Sequence, residues 1–172
     1  DSYISVNTKS TVANAGHAGY LTIIAESIAF SSGARVLAQT EGSGHAGSMD
    51  IKASQLILDT GAYIASTTIA SGHAGRLNLV ISGDLIMQDK AYLTTSTVGV
   101  GYAGGKDRQG NELGIFIHAA RLLMDTGAYI SSESLAKGAG GAAGQVLIDL
   151  TEQMHMAGRS AIKTSTYGQG NA

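Results

Sequence analysis

The sequence contains no proline, no cysteine and no tryptophan, and only 14% of its residues are charged. Without cysteine there can be no disulfide scaffold, zinc–thiolate centre, iron–sulfur cluster or thiol nucleophile. The charges are nearly balanced, 11 basic against 13 acidic residues, which excludes the basic stripe that a nucleic-acid surface needs. No apolar run approaches the roughly 20 residues of a membrane-spanning helix. Proline is the most informative absence. At ordinary usage a chain of this length carries about nine prolines and about twelve glycines, whereas this one has none and 24. Glycine-rich linkers usually contain proline, and they lack the 44% hydrophobic content found here. The composition describes a chain that buries a core and is punctuated by glycine.

What is present is a repeat. The tripeptide His-Ala-Gly begins at His17, His45 and His73, each 28 residues after the last. An alternating apolar run follows each one: Leu21, Ile23, Ala25; Met49, Ile51, Ala53; Leu77, Leu79, Ile81. Two further copies keep the run without the histidine, from Ile115 and from Val146. A second apolar pair comes next, as in Leu56 and Leu58 or Leu122 and Met124. The third element is anchored on Ile4, Val36, Ile64, Leu93, Ile130 and Ile162, with Ala or Ser two residues before each. Four residues after the anchors stand Thr8, Thr40, Thr68, Thr97, Ser134 and Thr166, so a hydroxyl recurs in every copy. The largest insertion, Val98 to Glu112, reads as a protruding loop with Lys106, Asp107 and Arg108 at its tip as a contact point for a partner.

Alternation at period two marks half-buried strands, and no segment shows helical spacing. An antiparallel meander gives no reason for identical residues to recur in columns. In a solenoid each residue lies about 4.8 Å above its counterpart in the previous turn, and the columns become ladders. The expected fold is all-β, a parallel β-helix of about five to six coils of roughly 28 residues or more, forming one domain over residues 1–172 and a rod on the order of 25 to 30 Å long. The missing proline follows, because a proline in an interior strand deletes a ladder hydrogen bond.

Candidate chemistry is sparse. His17, His45 and His73 would stack, but ligands on one ladder point in parallel, whereas zinc or copper needs ligands that converge. A structural role at a corner is expected, with no metal and no cofactor. The hydroxyl column, at an even offset from a buried anchor, is expected to point inward. Turned outward, it would suit ice or a polysaccharide. Catalysis would need paired carboxylates. Gln88 falls between Asp59 and Asp125, and Asn78 and His118 fall between Asp50 and Asp149, so the repeat forces no pair together and no enzyme is expected.

The units Gly44-His45-Ala46-Gly47-x-Met49-x-Ile51 and Gly72-His73-Ala74-Gly75-x-Leu77-x-Leu79, with Thr60-Gly61-Ala62-Tyr63-Ile64 and Thr126-Gly127-Ala128-Tyr129-Ile130, resemble the repeats of filamentous-haemagglutinin-like exoproteins of two-partner secretion. The resemblance covers nearly the whole chain. It implies a right-handed parallel β-helix at the cell surface or outside the cell, acting as an adhesin stalk or the body of an extracellular fibre. Histidine stands here where that family's pattern has Asn or Asp. Neither end reads as a cap, so the segment is expected to belong to a longer or stacked assembly that associates end to end, with cell-surface glycans as further partners. A polysaccharide- or ice-binding module is the alternative, and a polysaccharide lyase or hydrolase a more distant one.

Overall fold

The computed structural model of the protein describes residues 2–12, 16–106, 112–136 and 141–168. Strand β1 (Tyr3–Ser5) precedes the first turn, which consists of β2 (Leu21–Ile24), β3 (Ser27–Phe30) and β4 (Arg35–Thr40). The second turn is β5 (Met49–Ala53), β6 (Gln55–Leu58) and β7 (Tyr63–Thr68). In the third, the first two arms fuse into one long bent strand, β8 (Leu77–Met87), followed by β9 (Tyr92–Thr97). The fourth has β10 (Gly105–Lys106), β11 (Glu112–Met124) and β12 (Tyr129–Ser134), and the fifth β13 (Gln145–Met156) and β14 (Ala161–Thr166). Among the described residues there is no helix. The protein is a parallel β-solenoid of about five turns.

One sheet has the order β1-β4-β7-β9-β12-β14, and the remaining eight strands form the other. Every pairing among the described residues is parallel except the short hairpin of β10 with the start of β11. The six anchors stack in strict register, Ile4 on Val36, then Ile64, Leu93, Ile130 and Ile162. At the bend between the first two arms the spacing changes: Ser82 and Gly83 in β8, and Thr151 and Glu152 in β13, lie against the single Ala120 of β11. This two-against-one bulge bends the strand. Leu85, Leu122 and Met154 still come back into one column beyond it.

A single core runs along the coil axis, with Ile51, Leu79, Ile117, Leu56, Leu85 and Leu122 among its members. Each such side chain contributes about 1.5–3 kcal/mol by leaving water. Burial is complete only inside the stack. Val36, Leu122 and Met124 are sealed, while their column neighbours Ile4, Met154 and Met156 in the outermost turns remain 41%, 45% and 39% exposed.

Two kinds of corner join the arms. Between the second and third arms the backbone passes through left-handed conformations at Ser32–Gly33, Thr60–Gly61, Asp89–Lys90, Thr126–Gly127 and Gly158–Arg159. A buried alanine follows in four of the five, Ala34, Ala62, Ala91 and Ala128. The His-Ala-Gly corner uses glycine differently. A Cβ on Gly72 would overlap the carbonyl oxygen of Gly44, and one on Gly101 that of Gly72. Backbone there rests directly on backbone.

The insertion is shorter than the sequence suggests. Residues 98–103 continue the regular corner: the Val98 amide donates to the Thr68 carbonyl at 3.0 Å, and Gly99 sits on Ala70. Beyond that corner comes β10, where the backbone of Lys106 pairs with that of Glu112. Asp107 and Arg108 lie outside the described residues.

Candidate functional site: side-chain columns along the coil

Parallel register turns single residues into columns, and each potential site of the chain is one of them. The hydroxyl column runs Thr8, Thr40, Thr68, Thr97, Ser134, Thr166. Thr40, Thr68, Thr97 and Ser134 are fully buried, so the column faces inward at the end of the third arm. Its hydroxyls serve the corner beyond. Thr8 Oγ1 donates to the His17 carbonyl at 3.0 Å, and Thr40 Oγ1 to that of His45 at 2.9 Å. Thr68 Oγ1 and Ser134 Oγ are buried without a hydrogen-bond partner among the described residues. A satisfied buried hydroxyl and an orphaned one respond oppositely to removal. Thr40→Val is expected to cost about 1 kcal/mol, whereas Thr68→Val is expected to be neutral or to stabilise by up to about 1 kcal/mol. Chemical denaturation of the two variants side by side checks this, and an equal loss in both contradicts it.

A second inward hydroxyl column lies two residues after the anchors. Ser66 Oγ accepts from the Gly75 amide at 2.7 Å and donates to the Gly47 carbonyl at 3.1 Å, and Thr95 and Ser132 bond each other at 2.8 Å. Ala38 occupies the same column in the first turn, which hides the pattern in the sequence.

The outer face of the six-stranded sheet carries a tyrosine ladder. The rings of Tyr63, Tyr92 and Tyr129 stack with centroids 4.4 and 4.8 Å apart and nearly parallel planes. Burial, then the neighbouring phenols of Tyr63 and Tyr129, push the Tyr92 hydroxyl well above its usual range. Its signal in the sequence is a tyrosine immediately before three successive anchors. Beside the ladder, Thr94 bonds Ser131 at 3.0 Å and Ser96 bonds Thr67 at 3.2 Å. Lys163 Nζ lies 6.0 Å over the Tyr129 ring, where Ala161 ends the ladder.

His17, His45 and His73 stack with centroids 4.7 and 4.6 Å apart. Tyr102 caps them at 5.0 Å, tilted by 39°. It holds the histidine position of the fourth turn, a continuation that the missing His-Ala-Gly conceals. Each Nδ1 accepts an amide from the next turn at 2.9 Å. The near-parallel planes direct the nitrogens alongside one another. Among the described residues no cluster of three or more His, Asp or Glu is placed to hold a metal ion.

The carboxylates are dispersed. Asp59, Gln88 and Asp125 follow one another in a corner column, their amides donating to Phe30, Leu58 and Met87. Asp50 and Asp149 do not share a column, which corrects the expectation from the repeat. Asp50 is in register with Asn78 and Phe116, while Asp149 is in register with His118 and Val80. The bend between the arms leaves the count from each run start unchanged, so residues two positions apart in that count cannot align. Asp50 is engaged by Tyr20, by Asn78 at 3.0 Å and by Arg76 at 3.8 Å. Asp84 receives both nitrogens of an Arg121 fork at 2.6 and 2.8 Å, which holds its carboxyl below the usual carboxylate range. These are cross-turn ties. Compared with protein families, curated proteins and solved structures, the chain matches none.

Proposed function

We propose that the chain is the structural shaft of a secreted or surface-displayed bacterial protein, of the kind its filamentous-haemagglutinin-like repeats suggest, serving as an adhesin stalk or as the repeating body of an extracellular fibre. One observation carries this reading: the anchor and hydroxyl columns run through every turn, so the features that grow with the number of repeats are length and stiffness. The carboxylates of Asp50, Asp84 and Asp149 support a non-catalytic role, since each is tied to a side chain of a neighbouring turn instead of facing a second acid.

End-to-end association with another copy is part of the proposal. Among the described residues β1 pairs only with β4, and β13 only with β11. Each leaves a row of backbone donors and acceptors, and open parallel edges template further pairing. The half-exposed Met154 and Met156 supply an apolar surface in the same column geometry that the interior seals. Sedimentation velocity and electron microscopy are expected to show rods that lengthen with concentration. Met154→Lys with Met156→Lys is expected to stop that growth while the far-ultraviolet β signal is retained. A dispersed monomer at high concentration overturns the fibre form.

A second reading, a polysaccharide- or ice-binding face, is favoured by the tyrosine ladder with its flanking hydroxyls. The rings are stacked face to face, so the surface offers ring edges and hydroxyl tips at the turn repeat. Glycan arrays and ice-recrystallisation assays, each with Tyr92→Ala as control, decide it.

A further inference from the structure

We infer that the His17–His45–His73 column is an acid-sensitive latch: neutral rings fasten the corner of each turn to the next, and protonation releases them. The amide of His45 donates to Nδ1 of His17, that of His73 to Nδ1 of His45, and that of Tyr102 to Nδ1 of His73. A ring nitrogen that accepts a hydrogen bond carries no proton, so all three imidazoles are set as the Nε2–H tautomer. An imidazolium donates from both nitrogens. Protonating one ring therefore points a donor at the amide of the next turn, and the link to that turn is lost.

Stacking adds to the effect. Interplanar angles of 12° and 6° hold the rings in face contact, so charging two neighbours sets like charges against each other. Among the described residues no carboxylate offsets this at the middle ring: burial first, then His73 and His17, hold the His45 imidazole below its usual 6.5. Arg76, on the same corner, is turned to Asp50. Glu41, which leads into that corner, is not among the groups that shift His45. Tyr102 presents its ring to His73. The folded-state value of His45 is depressed, so the unfolded chain binds the extra proton. The contribution of the His45 ring is complete above about pH 6.5 and is lost as pH falls below it. Acidic residues titrate mainly lower, leaving the interval from about pH 7 to about pH 5 to the histidines. His155 and the Asp149-bonded His118 stand outside the corner.

Asparagine at the three positions separates the latch from everything else, because Oδ1 replaces Nδ1 as the acceptor and does not titrate. Thermal melts at about pH 7.5 and about pH 5 compare the parent with the His17→Asn, His45→Asn, His73→Asn triple variant, in which His118 and His155 remain. The melting temperature of the parent is expected to fall by about 5 °C more than that of the variant. Equal falls overturn the inference. If the variant does not fold, nitrogen-15 spectra of the parent imidazoles decide. Unprotonated Nδ1 at neutral pH and a His45 titration midpoint below 6.5 sustain the latch, and a protonated Nδ1 or a midpoint at or above 6.5 removes it.

Discussion

Gly72→Ala is expected to break the solenoid between its second and third turns, although it adds only one methyl group. The new Cβ would overlap the Gly44 carbonyl oxygen and crowd the Ser43 carbonyl at 3.1 Å, and both are backbone atoms that no rotamer change can move. Relief requires the turns to separate there, which also strains the amide of His73 on the His45 ring. Overpacking in a well-filled core typically costs about 1–3 kcal/mol. With backbone on both sides of the clash, the expected loss is about 3 kcal/mol or more. Because stability in a repeat protein is close to a sum of units and nearest-neighbour interfaces, the damage should show as lost cooperativity, with the turns on either side melting separately.

Gly61→Ala is the control. An added Cβ at Gly61 meets nothing within 4 Å, but its φ of +71° is a conformation L residues disfavour, so its cost is expected to be only about 1 kcal/mol. Hydrogen exchange with calorimetry separates the two outcomes. Equal, mild destabilisation by both substitutions would falsify direct backbone stacking at the His-Ala-Gly corner.

The same contrast explains how much of the fold is legible in the sequence. Period-two runs, six anchors and a hydroxyl four residues after each anchor are spaced by the pitch of the coil itself, so register follows from counting residues, and Thr40, Thr68 and Thr97 do stack. Columns with mixed membership are harder to see. Tyr102 continues the histidine stack because a ring of either kind fits there, and Ala38 stands before Ser66 in its column without a hydroxyl. The insertion begins later than its glycines suggest, because Gly99 and Gly101, which look like loop residues, are there to let backbone lie on backbone. Glycine in a sequence reports that a side chain is forbidden, and it does not say whether the reason is a dihedral angle or a neighbour.

Proline tests the ladder as alanine tests the corner. Leu79 lies mid-strand in β8, in register with Ile51 on one side and Ile117 on the other, and is 1% exposed. Leu79→Ala removes packing alone and is expected to cost about 2–5 kcal/mol. Leu79→Pro forfeits the same packing and deletes an amide donor inside the sheet, where proline is otherwise confined to edges and bulges. The added loss is expected to be about 3 kcal/mol, enough with the packing term to exhaust the roughly 5–15 kcal/mol by which domains are ordinarily stable. The expected outcome is a chain that fails to fold past its second turn, read as loss of the β signal and rapid proteolysis, while the alanine variant still melts cooperatively. Tolerance of proline at this position equal to that of alanine would mean that β5, β8 and β11 do not form one hydrogen-bonded ladder, and a rod built from such turns would have no source of stiffness. The same reasoning accounts for the zero in the composition. Apart from the outermost strands and the short hairpin, every strand has a neighbour on both sides, so a proline anywhere in it would remove a bond that the next turn depends on.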